Sequence, residues 1–132
     1  MGNTILLLLV EDNPLIAELM KAALADRGYD VIWSGGGMEA LGMLDDRVAE
    51  IAGLITDIRL GEGPSGWKVA HHGRELRPEL PVVYMTGDSA GDWTARGVPN
   101  SVLLQKPFAP AQLVTAISTL LINVDSRPGS TA

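Results

Sequence analysis

The 132-residue chain is 46% hydrophobic with a formal charge of −6 and a pI near 4.7, which allows one compact core and argues against the basic face that nucleic acid requires. It has no cysteine, so disulfides and thiolate metal sites are excluded, which fits a reducing, cytoplasmic setting. The apolar run Ile5–Val10 is too short to span a bilayer and Met1–Thr4 carries no basic side chain, so a soluble, unexported protein without a membrane partner is expected.

In chain order, Ile5–Val10 ends abruptly at Glu11-Asp12-Asn13-Pro14, the pattern of a parallel strand covered on both faces and followed by a helix start. Pro14 falls in the first helical turn, where its missing N–H costs little, and Leu15, Ile16, Leu19, Ala23 and Leu24 recur at helical spacing up to Gly28. Tyr29–Trp33 reads as a second strand and Met38–Ala49 as a helix carrying Ala40, Leu41, Leu44 and Val48. Gly35-Gly36-Gly37 between them lacks a dinucleotide fingerprint or a P-loop lysine and reads as a turn. Gly53–Thr56 is a third strand ending at Asp57, and Ser65 can cap a third helix through Trp67, Val69, Ala70 and Leu76, closed by Pro78.

Pro81–Met85 forms the fourth strand. Between Asp88 and Asn100, Gly91, Gly97 and Pro99 leave only Ala90, Trp93, Ala95 and Val98 as apolar positions, which predicts a short or irregular fourth helix. Val102–Leu104 is the fifth strand, and a last helix after Pro110 carries Leu113, Val114, Ile117, Leu120 and Leu121. Residues 125–132 have too little apolar content to pack, so one domain over residues 1–124 and a flexible tail over 125–132 are expected. Strands alternating with helices throughout mean a parallel α/β sheet.

Ligands of open α/β sheets bind beyond the carboxyl ends of the strands, which directs attention to the residues just after each apolar run. Those residues are Glu11-Asp12, Asp57, Met85-Thr86-Gly87 and, past Gln105, Lys106-Pro107. Converging carboxylates repel by roughly 4 kcal/mol per pair at 4 Å and an effective dielectric near 20 unless a cation intervenes. With no Cys or His among the ligands, Mg²⁺ fits better than Zn²⁺. Taken alone, Glu11-Asp12 would be an ordinary acidic helix N-terminus; together with Asp57, Thr86 and Lys106 it is more than that.

The acidic pair Glu11-Asp12, then Thr56-Asp57-Ile58-Arg59-Leu60, then Tyr84-Met85-Thr86-Gly87, then Lys106-Pro107-Phe108 resembles the response-regulator receiver family over residues 4–123. The resemblance implies a flavodoxin-like, doubly wound five-stranded parallel sheet of order 2-1-3-4-5 with flanking helices. It implies that Asp57 accepts a phosphoryl group from a histidine kinase or His-phosphotransfer protein. Mg²⁺ would be held by Asp12, Asp57, the backbone carbonyl of Arg59 and, through water, Glu11. Thr86 and Lys106 would contact the phosphoryl oxygens, the Lys106–Pro107 peptide would be cis, and Gly87 would leave room for the donor imidazole or an attacking water. Arg59 and Asp88 would flank the site, pair across its mouth and tune the lifetime of the acyl phosphate, the alternative being two solvated loop charges. Such a domain is a signalling phosphoacceptor that assists its own phosphorylation and dephosphorylation, not a turnover enzyme.

Leu103 departs from the family, in which an aromatic residue often stands three before the lysine and changes rotamer on phosphorylation. Output is therefore expected through backbone shifts in residues 88–99. His71 and His72 point roughly 100° apart on a helix and are read as solvated, with His71 and Glu75 at most a weak chelate. Trp33, Trp67 and Trp93 are read as packing or partner-surface residues.

Among rivals, a dehalogenase-type phosphatase wants a second acid where Arg59 stands, and a flavodoxin-like cofactor binder would have its phosphate repelled by Glu11-Asp12. A pseudo-receiver that acts without phosphorylation is the nearest alternative. Homodimerisation, the downstream protein, and the choice between a single-domain regulator and a receiver cut from a larger chain stay open.

Overall fold

The computed structural model describes residues 4–87 and 90–126. Its order is β1 (Ile5–Val10), α1 (Pro14–Asp26), β2 (Tyr29–Ser34), α2 (Gly37–Arg47), β3 (Ile51–Asp57), α3 (Gly66–Leu76), β4 (Val82–Thr86), α4 (Trp93–Arg96), β5 (Val102–Gln105) and α5 (Pro110–Ser126). The strands form one sheet of order β2-β1-β3-β4-β5, every neighbouring pair parallel.

The apolar run of β1 is continuous because both faces of the sheet are covered. Leu8 and Val10 join a core with Leu44, Leu54, Trp67 and Tyr84, on the side of α2 and α3. Leu7 and Leu9 join Met20, Leu24, Leu113 and Ile117, on the side of α1 and α5. Alternating side chains thus feed two separate cores from one strand.

Local chemistry sets the helix starts. Asn13 accepts from the amides of Leu15 and Ile16 at 3.0 and 3.3 Å, with Pro14 in the first turn, and Ser65 accepts from Lys68 at 3.4 Å. Gly28, at φ +89°, turns the chain out of α1 into β2. The fourth helix is short, as its composition predicts: a 3₁₀ turn over Ala90–Asp92 followed by the single turn of α4.

β3 begins at Ile51, two residues before the expected start, and β4 ends at Thr86. α5 runs on to Ser126, so the first two residues of the expected 125–132 tail belong to the helix; residues 127–132 lie outside the described residues. No helix among the described residues is long and apolar enough to cross a membrane.

Candidate functional site

The strand order reverses between β1 and β3, so the crevice at their carboxyl ends is the topological switch point of the sheet. Glu11 and Asp12 follow β1, and Asp57 is the last residue of β3. These three acids each bring a carboxylate oxygen within 4.8 Å of the others. From the other side, β4 and β5 deliver Thr86 and Lys106, tied together by the Lys106 amide donating to the Thr86 carbonyl at 2.7 Å.

Lys106 reaches across the strand ends to Asp57 Oδ2 at 3.1 Å and Glu11 Oε1 at 3.5 Å. The Lys106–Pro107 peptide is cis. Asp57, Arg59, Thr86, Gly87 and Lys106 line a cavity of about 350 Å³. A Cβ built on Gly87 would meet nothing within 4 Å, so its bare backbone borders open space.

Burial raises the Glu11 pKa to about 7, against the lowering effect of the Asn13 amide bonded to it, and the nearby Asp57 charge raises it further. Asp57 is also raised, chiefly by burial, while its contact with Lys106 pulls the other way. For Lys106, burial disfavours the charge, but the bonds and attraction to Asp57 and Glu11 outweigh it and its pKa is raised. One ammonium among three carboxylates leaves the cluster short of positive charge. An all-oxygen donor set with that deficit fits a hard divalent cation such as Mg²⁺, and the absence of sulfur or imidazole donors from the cluster does not suit Zn²⁺.

The backbone behind Asp57 is held closely. Thr56 Oγ1 donates to the Asp57 carbonyl at 2.8 Å, Ile58 N–H to the Met85 carbonyl at 3.0 Å, and Gly66 N–H to the Ile58 carbonyl at 2.8 Å. A Cβ on Gly66 would lie 2.1 Å from the Asp57 carbonyl oxygen, so only glycine fits there. Nothing in the local pattern around Gly66 signals this.

Of the remaining sequence expectations, Arg59 lines the acidic cavity and a neighbouring one with Trp67 and Arg96, while Asp88 lies outside the described residues. Leu103 is paired in register with Tyr84 of β4. His71 is exposed as expected, whereas His72 is partly buried and paired. His72 Nε2 lies 2.7 Å from Asp45 Oδ1 and its Nδ1 lies 3.8 Å from Glu75, so it is His72 that meets Glu75 and joins α2 to α3. His71 Nε2 is 2.8 Å from the Arg96 carbonyl. Trp67 packs with Tyr84, and Trp93 donates to Ser101 Oγ at 2.9 Å.

Residues 7–118 match the family model of the response regulator receiver domain. A response regulator receiver protein from Sinorhizobium medicae WSM419 is similar at a TM-score of 0.88 and 40% identity, over 91% of this chain and 96% of that one. The receiver domain of the sensor histidine kinase PA1611 from Pseudomonas aeruginosa PAO1, crystallised with magnesium coordinated in its active-site cleft, shares the fold at a TM-score of 0.77 and 22% identity, over 90% and 98% of the two chains. The probable transcriptional regulatory protein TcrX of Mycobacterium tuberculosis is 27% identical over 91% of this chain, which spans only 51% of TcrX.

Proposed function

The chain belongs to the response regulator receiver family, and from that premise we propose that Asp57 accepts a phosphoryl group from a phosphohistidine of a histidine kinase or His-phosphotransfer protein. A carboxylate oxygen of Asp57 attacks phosphorus, the P–N bond breaks, its electron pair leaves on the imidazole, and an acyl phosphate forms. Glu11 (through water), Asp12, Asp57 and the main-chain carbonyl of Arg59 would hold Mg²⁺. When bound, Mg²⁺ supplies Lewis-acid neutralisation of the phosphoryl oxygens.

The chain's own residues do the rest. Lys106 balances charge on the acceptor from 3.1 Å and is placed to follow it onto the phosphoryl group. The Thr86 hydroxyl donates a hydrogen bond to a phosphoryl oxygen, and the open space beside Gly87 admits the donor imidazole or, for hydrolysis, water. Arg59 and Asp88 tune how long the acyl phosphate lasts. Output runs through residues 88–99, Leu103 offering no aromatic ring to rotate, and changes contacts with a protein partner in the cytoplasm.

The observation that carries this reading is Lys106 bonded to Asp57 within a cluster of three carboxylates at the switch point of the sheet. Incubation with acetyl phosphate and Mg²⁺, followed by intact mass, tests it. A gain of one phosphoryl group that is absent from Asp57→Ala is expected; no gain would leave a phosphorylation-independent interaction module.

A further inference from the structure

The β1–β2 ladder ends with Val10 opposite Ser34. Glu11, one residue further, still donates its N–H to the Ser34 carbonyl at 3.0 Å. In a parallel ladder the N–H and C=O of one residue face the same neighbour, so the Glu11 carbonyl also looks towards β2 and needs a donor there. The backbone of β2 does not supply one. Past Ser34 the chain turns away, the Gly35 amide donating to Glu39 Oε1 at 3.2 Å and the Gly36 amide to Ser34 Oγ at 3.4 Å.

A side chain takes that place: Trp33 Nε1–H donates to the Glu11 carbonyl at 2.8 Å. With 37% of its surface exposed, Trp33 is not a core residue, and its indole N–H reaches back to the main chain at the end of β1. The carbonyl belongs to the peptide that joins Glu11 to Asp12. Holding that peptide fixes ψ of Glu11 and φ of Asp12, the two soft torsions that set where the chain carries Asp12 beyond the end of β1. The Asn13 amide, bonded to Glu11 Oε2 at 3.1 Å, fixes only the side-chain end.

We propose that Trp33 is a positioning residue for the acidic cluster: its indole N–H completes the last rung between β1 and β2 and fixes the Glu11–Asp12 peptide so that both carboxylates face Asp57. This rests on reading the cluster as a Mg²⁺ site. Trp33 touches neither metal nor phosphoryl group; it acts through the backbone between two metal-binding residues.

Mg²⁺ affinity measured by calorimetry on the full chain tests the proposal. Trp33→Phe keeps most of the ring and removes the donor. It is expected to bind Mg²⁺ about tenfold more weakly, equivalent to ~1.4 kcal/mol and in the range of one hydrogen bond. Trp93→Phe, which removes an indole whose N–H is bonded to Ser101 and not to the cluster, is expected to bind as the wild type does. Equal affinity in Trp33→Phe and wild type, or equal weakening in both variants, overturns the role of Trp33 and leaves the metal site standing. No Mg²⁺ binding by the wild type overturns the site itself and the inference with it. A second measurement needs no variant: the assigned indole ¹⁵N–¹H resonance of Trp33 in the wild-type chain should shift as Mg²⁺ saturates the site, and a resonance that stays fixed overturns the proposal.

Discussion

Glu11 is 1% exposed, and its carboxyl sits beside Asp57, Asp12 and Lys106, where burial holds its pKa at about 7. Between its ordinary value of 4.5 and about 7 the folded chain therefore holds a proton that the unfolded chain releases. The stabilisation from Glu11 is fully present below about 4.5 and is lost as pH rises through about 7. A shift of that size corresponds to roughly 3 kcal/mol. Asp57, raised for the same reason, adds in the same direction, whereas the stabilisation from Lys106 is fully present below its ordinary 10.5 and is lost only as the pH rises beyond that. Urea unfolding of the metal-free chain should accordingly show stability falling from pH 5 to pH 8, and Glu11→Gln should flatten much of that slope. An unchanged slope in Glu11→Gln would remove Glu11 as its source.

Elements show why some of the molecule is legible in the sequence and some is not. β1 is plain because Leu7 and Leu9 serve one core while Leu8 and Val10 serve the other, which demands an unbroken apolar run. β3 extends two residues before Gly53, where the sequence reading begins it; in the fold Ile117 Cδ1 and Leu7 Cδ2 lie about 3 Å from where a Gly53 Cβ would be, so α5 packs against bare backbone inside the strand. The candidate site is legible because its polar residues directly follow apolar strands. The Trp33 bond to Glu11, the contact of Gly66 with Asp57 and the His72–Asp45 link join separate elements and leave no periodic trace. The thin fourth helix also has a tether that sequence does not reveal. The hydroxyl of buried Tyr84, on the same face of β4 as Thr86, accepts the Val98 amide at 3.0 Å. Tyr84→Phe leaves that buried N–H without its partner, at a cost of about 1–3 kcal/mol. A urea midpoint lowered to that degree, with faster amide exchange at Val98, is the expected result; unaltered exchange there would show that the hydroxyl does not hold the segment before β5.

At the scale of the whole molecule, the acidic cluster sits at the ends of two strands that also carry the core: β1 and β3 bring the carboxylates, β4 lies beside β3, and all three are buried along most of their length. Glu11 and Asp12 at the end of β1 and Asp57 at the end of β3 would together hold a cation there, so its binding free energy would act on the unfolding of the sheet and not on the opening of a surface loop. A ligand that binds only the folded state stabilises it by about 2.7 kcal/mol at a hundredfold excess over its Kd. In a domain of this size that raises the thermal midpoint by on the order of 10 °C. Protonation competes with the cation at Glu11, so the shift should be full at pH 8 and smaller at pH 6, the opposite trend to the stability of the metal-free chain. Asp57→Asn removes a carboxylate from the cluster and should reduce the Mg²⁺-dependent rise at both pH values. Scanning calorimetry with Mg²⁺ and with chelator at the two pH values separates these effects. A rise independent of pH would place the cation on carboxylates other than Glu11, and a rise retained in full by Asp57→Asn would place it away from β3 altogether.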